Sequence, residues 1–359
     1  PTTPRSMEAT PMRNPIASLP VVGDLVEDDY VRSLLGGTIA TLGVLASLAF
    51  LFPASVAGDL AGIVFSRSTA ASTARLAAPI VLAGLGGIFA EKSGVINIGL
   101  EGLLIISAFT SVYVASIVGV GTAVLGVPAI WVGLLGGVVA STLLAGVFGV
   151  VCIEFEADQI IAGLAVWLIA LGLAPFASTV FFGGVNTPNL GARVSWEYSA
   201  VMVAVATLAS WWTLYRTAFG THLRAAGENP RALDTVGVSV SRIRYAGVLV
   251  SGVLSGVGGS ALALSIGQFV GSGQTMVQGK GFIAIVAYLF GNYNPLGTLG
   301  AGILFAGLDA TQIRLQQLGY AIPDTLVQTI PYVVVVLVLA LVGRTRIPAA
   351  AGDHYETEE

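Results

Sequence analysis

Asn97 and Glu101 stand four residues apart in the stretch "EKSGVINIGLEG" (91–102), between two apolar runs. On a helix, residues four apart share one face. If a helix starts near Gly94, Glu101 lies about 10 Å along it at 1.5 Å per residue. A carboxylate at the centre of a spanning helix costs on the order of 3 kcal/mol, so this one needs a reason. Two readings are open. The pair lines a solute path as the polar face of a broken helix, or Glu101 hydrogen-bonds a neighbouring backbone. Gly99 and Gly102 let another chain segment approach closely. Glu91 and Lys92 are expected in solvent at the end of the preceding segment.

A second polar interruption is "GNYNPLG" (291–297), where Asn292 and Asn294 could offer donors and acceptors to a polar solute or simply form a tight turn. Irregular backbone at membrane depth persists only where it is buried in protein or lines water. The third stretch is "RAAGENPRALDTVGVSVSRIR" (224–244). Asn229 suits an N-cap, Pro230 the first helical position and Gly237 the C-terminal stop. The spacing predicts a helix of about seven residues, marginal in water by itself. The rest of the chain or a partner should hold it. Gln268, Gln274 and Gln278 frame a polar loop expected on the opposite side.

Other chemistries find no support. There is no G-x-x-x-x-G-K-[ST] loop for nucleotide phosphates, and no Ser/His/Asp constellation. The two histidines, His222 and His354, and the single cysteine, Cys152, form no metal-ligand cluster and no disulfide framework. The expectation is a protein that is not an enzyme and carries no cofactor.

These residues must be positioned by membrane helices. The 359-residue chain is 55% hydrophobic and 10% charged, against about 25% charged in soluble domains, and its mean hydropathy is +0.86. The apolar runs are continuous rather than alternating, which selects helices over a transmembrane barrel. Charge-free windows predict spans at 33–58, 76–90, two within 102–153 with a turn near 119–128, then 159–192, 198–215 and 245–268. Short pieces at 281–290 and 296–308 and a final span at 325–343 complete an all-α, polytopic set. That makes about ten segments at roughly 20 residues per full span.

The broken segments at 76–102 and 281–308 hint at an internal repeat, and such pairs point to a transport site. The 46 glycines often fall at small-xxx-small spacing, which suits close helix contact within the chain or with a second permease. Residues 1–33 and 344–359 read as polar tails on either side of the membrane domain at 34–343, and both as disordered. No cleavable signal peptide is evident. The loop 216–244 holds five arginines against two acids, and Arg344 and Arg346 follow the last span. The positive-inside rule makes both cytoplasmic, and with them both termini.

Three blocks carry a family resemblance: "AAPIVLAGLGGIFAEKSGVINIGLEGLLIISAF" (77–109), "GENPRALDTVGVSVSRIRYAGVLVSGVLSGVGGSALAL" (227–264) and "GKGFIAIVAYLFGNYNPLGTLGAGILFAGLDA" (279–310). They resemble the permease subunits of nucleoside and simple-sugar ABC importers, in the ribose/branched-chain-amino-acid permease superfamily. The resemblance implies a subunit of a prokaryotic plasma membrane, working with a second, different permease chain. It also implies an ATPase with two fused nucleotide-binding halves and an extracytoplasmic binding lipoprotein. Lipid surrounds the chain, and no nucleic acid is involved. By that likeness Glu228, Asn229, Pro230, Arg231, Ala232 and Gly237 fall on the helix that docks in the ATPase, within the coupling loop 216–244. Asn97 and Glu101 fall beside the translocation path. After "ADQI" the family tends to carry a polar residue, often Asn; here the sequence reads "AVWLIA", with Trp167. Nucleosides are the expected solute, simple sugars the alternative. The residues alone leave a third reading, an ion-coupled carrier built on the intramembrane carboxylate.

Overall fold

In the computed structural model, residues 61–317, 347–353 and 355 are described, with Gly43 and Ser47. Apart from Gly43 and Ser47, the expected span at 33–58 lies outside the described residues, as do the span at 325–343, the tail at 1–33, Arg344, Arg346 and His354. Within them the chain is helical, and seven helices are long and apolar enough to cross a membrane.

Helix α1 (Arg67–Lys92) starts where the Ser66 hydroxyl accepts from the Thr69 amide. It is a full span, not the short piece at 76–90 that the charge-free window suggested. Arg67 and Arg75 sit in its first turns, where long side chains can reach the interface. After an irregular link, α2 (Leu100–Val118) returns across the membrane. A two-residue hairpin, β1 (Ala123–Val124) and β2 (Val127–Pro128), makes the expected turn into α3 (Ala129–Ile153). Asp158 caps α4 (Gln159–Phe182) by accepting from the Ile160 and Ile161 amides, and Gly183 ends it in the left-handed conformation.

Helix α5 (Trp196–Arg216) leads to two short helices, α6 (Ala218–Glu228) and α7 (Pro230–Thr235), and α8 (Val240–Ile266) re-crosses. The 11-residue α9 (Lys280–Phe290) is about 16 Å long, half of what a span needs. Helix α10 (Pro295–Gln317) follows. It runs past 308, because Asp309 stays inside the helix and pairs with Lys280 at 3.7 Å.

Helix α8 is the centre, lying against α1, α2 and α3. Its glycines are in these contacts. A Cβ on Gly256 would sit 2.7 Å from Val138 Cα, and one on Gly252 2.9 Å from Thr142 Cα. Gly86 of α1 likewise faces the Ser251 carbonyl, and Gly137 of α3 the Ser107 carbonyl. The small-residue spacing therefore serves packing within the chain at these positions. Leu135, Val139 and Leu143 of α3 and Leu168, Leu173 and Phe176 of α4 stay exposed, as lipid- or subunit-facing surfaces require.

One end of the bundle gathers the α1–α2 link, the α3–α4 link, α6, α7 and the start of α8. The Tyr245 hydroxyl donates to Glu154 (3.1 Å), the Ile96 amide donates to Gln159 Oε1 (2.7 Å), and Gly227 lies on the Lys92 carbonyl. At the other end, the Thr187 and Leu190 amides donate to the Phe269 and Gly267 carbonyls. The residues of "AAGDHYETEE" that are described are not a free tail. They pack across the first end, where backbone groups of Gly94 and Gly227 accept their amides.

Candidate functional site: a half-helix held at both ends

The short helix α9 is gripped by two carboxylates from one stretch of chain. At its start, Glu101 accepts from the amides of Gly279 (2.7 Å) and Gly281 (2.6 Å), one on each oxygen. The first amides of a helix have no partner within it, and negative charge there is favoured by the helix dipole. The approach is close because residue 281 is glycine: a Cβ there would lie 2.5 Å from Glu101 Cα. At the other end, Glu91 accepts from the hydroxyls of Tyr288 and Tyr293. Glu91 is 6% exposed, so its expected solvent position is not what the structure has. The tyrosines supply the hydrogen bonds that water would otherwise give.

Helix α2 starts at Leu100, after an N-cap at Gly99. Asn97 therefore lies in the link, and it does not share a helix face with Glu101. Its side chain donates to Ser251 Oγ of α8 (3.1 Å) and accepts from the Gly99 amide (3.0 Å). Gln159, at the start of α4, holds the Ile96 amide. Asn292 and Asn294 sit at the far end of α9. Asn292 and Tyr293 have left-handed φ values of 51° and 56°, and Asn294 Oδ1 accepts from the Leu296 amide to start α10. Near the start of α9, Lys280 donates to the Val277 carbonyl (3.3 Å). Trp167 of α4 meets Phe282 of α9 edge-to-face, with centroids 5.2 Å apart.

The second constellation is the short helix in the basic loop. Asn229 Oδ1 accepts from the Ala232 amide (3.2 Å), Pro230 opens α7, and Gly237 takes φ +79° just after it. Leu233 anchors α7 to Ala226 and Val240, while Glu228, Asn229, Arg231, Ala232 and Gly237 remain exposed. The two constellations meet at Gly227. A Cβ there would lie 2.5 Å from the Lys92 carbonyl oxygen, one residue from Glu91.

Gln159, Ser251, Tyr288 and Tyr293 were not singled out by sequence reasoning. Their only signal is polarity within or beside an apolar run, which many uninvolved serines and tyrosines share. One expected result tests the close approach at α9. Helix propensity by itself makes Gly281→Ala stabilising by about 1 kcal/mol. The contact with Glu101 reverses the sign, to a loss of about 1–3 kcal/mol from overpacking. Thermal melting of the purified protein in detergent reads the difference.

The family described as "Branched-chain amino acid transport system / permease component" matches residues 69–343. The chain is 36% identical to the guanosine ABC transporter permease protein NupQ of Bacillus subtilis, over 78% of this chain and 93% of that protein. It is 34% identical to the nucleoside ABC transporter permease protein NupC of Lactococcus lactis, over 77% and 93%. A putative glucose ABC transporter permease protein, TsgC13 of Haloferax volcanii, is 29% identical over 72% and 80%. No solved structure matches the chain.

Proposed function

The chain belongs to the family of branched-chain amino acid transport system permease components, and on that premise we propose that it forms half of the translocation path of an ABC importer for nucleosides. It is a transport component rather than an enzyme, a multi-pass protein of a prokaryotic plasma membrane. The observation that carries the substrate class is the pair of nucleoside-named relatives, each matched over 93% of its length. Simple sugars are the second reading, favoured by the glucose-named relative. Membership of this family leaves the ion-coupled carrier without support.

The end of the bundle bearing α6 and α7 is placed in the cytoplasm, and both termini with it, because the loop 216–244 is rich in arginine. The ATPase, with its two nucleotide-binding halves, docks on Glu228, Asn229, Pro230, Arg231, Ala232 and Gly237. The exposure of all of these but the half-buried Pro230, on a self-capped helix, supports this. A second, different permease chain completes the path, and an extracytoplasmic lipoprotein delivers the solute. The path runs along α9, bordered by Asn97, Glu101, Asn292 and Asn294. A half-length helix flanked by irregular backbone is tolerated only beside protein or water, which supports a path there.

Uptake of labelled nucleosides and sugars by cells with and without this gene tests the substrate. Uptake of pentose or hexose but not of nucleosides would reverse the order of the two readings. For the ATPase contact, the Glu228→Ala, Gly237→Val double variant is the test. A β-branched residue is strained at Gly237's φ. Uptake is expected to fall about 10-fold while ATP hydrolysis and membrane insertion persist. Normal uptake by this variant would sink the assignment.

A further inference from the structure

Residues 347–353 and Tyr355 follow the last apolar run of the sequence and lie across the end of the bundle that carries α7. They touch three separate elements. The Ala350 amide donates to the Gly227 carbonyl at the end of α6 (2.8 Å), and the Gly352 amide donates to the Gly94 carbonyl in the α1–α2 link (3.1 Å). The Tyr355 hydroxyl donates to Asp234 Oδ2 of α7 (3.0 Å). The fit is close. Gly352 has φ +88°, and a Cβ on it would lie 3.0 Å from Ile96 Cδ1. Ala350 is buried, and Tyr355 packs on the Ala226, Leu233 and Val240 cluster. Under the segment, Arg244 is 4% exposed, and its Nε and Nη2 have no hydrogen-bond partner among the described residues. Asp353 and Tyr355 are within electrostatic reach of it.

We infer that this C-terminal segment is a strap that ties α7 to the α1–α2 link, so that residues 347–355 are part of the coupling apparatus. The inference rests on the reading of α7 as the ATPase contact. The physical reason is the weakness of α7 itself. Six residues do not hold a helix in water, and Leu233 is the one α7 residue that is buried. A push on so small an element reaches the link only indirectly, through α6 at Gly227, unless α7 has a tie of its own. The strap grips α7 through Asp234 and the link through Gly94. That link ends in Glu91 on one side and Glu101 on the other, the two residues that hold α9. Motion of α7 is thereby passed to the half-helix.

The test uses the full complex (both permeases, ATPase and binding protein) in proteoliposomes, reading labelled guanosine taken up per ATP hydrolysed. Truncation after Ile347 and Gly352→Val are each expected to lower this ratio about 5-fold, and Tyr355→Phe about 2-fold, with ATP hydrolysis retained. A merely structural role would lower uptake and hydrolysis together. An unchanged ratio in both point variants overturns the strap, whether or not the truncated chain assembles. If the Glu228→Ala, Gly237→Val variant couples normally while the strap variants do not, the ATPase contact is misplaced instead.

Discussion

Glu101→Ala is expected to destabilise the protein by about 2–6 kcal/mol and to abolish uptake. Each carboxylate oxygen is taken by one amide at the start of α9, and Glu101 is 2% exposed. Truncation leaves both amides without an acceptor in a site that water does not reach freely. The cost of one such orphan is about 1–3 kcal/mol. Glu101→Gln keeps one carbonyl oxygen but turns an NH2 toward the other amide, so about half the loss is expected. Thermal melting in detergent gives the stability order Glu, Gln, Ala, and proteoliposome uptake gives the activity. A Glu101→Ala protein that melts like the parent and is changed only in solute affinity would show that the carboxylate serves the solute and not the helix.

The other large effect is expected at Glu91. Its removal strands two tyrosine hydroxyls, one on the fully buried Tyr288, at a cost of about 2–6 kcal/mol by the same reasoning. Here the partners can also be removed. Replacing a polar pair by apolar groups of similar shape is close to neutral. The triple variant Glu91→Leu, Tyr288→Phe, Tyr293→Phe is therefore expected to melt within about 1–2 kcal/mol of the parent, whereas Glu91→Leu alone does not. If the hydroxyl–carboxylate contacts carry motion from α1 into α9, the stable triple variant still hydrolyses ATP but transports poorly. Recovery of uptake along with stability would reduce the cluster to packing.

Both variants act on α9, and α9 is where reading the sequence went only part of the way. The interruption "GNYNPLG" was visible because Pro295 and two asparagines break an apolar run, and the structure breaks there. The turn at 119–128 and the capped helix from Pro230 were legible for the same reason. Caps and breaks are local, set by the backbone preferences of a few adjacent residues. Glu91 was misplaced because its partners are 197 and 202 residues away. A carboxylate at the end of an apolar run looks solvated until something buried is found to hold it. For Glu101 two readings are open in the sequence, and the structure has the hydrogen bond to a neighbouring backbone, made to Gly279 and Gly281 from a helix that starts at Leu100 instead of near Gly94.

Class and scale are legible in the amino-acid composition. Membrane-spanning helices, the basic loop and the small-residue seams follow from composition and period, because the hydrocarbon core penalises charge and unpaired backbone. Tertiary structure alone decided which polar groups meet. Glu91 and Glu101 hold opposite ends of one half-helix, Asn97 and Gln159 pin the link between them, and the C-terminal segment lies over α7 instead of running free. These pairings depend on approach distances that glycines at 94, 227 and 281 permit, and on chain segments far apart in sequence. No local preference encodes them.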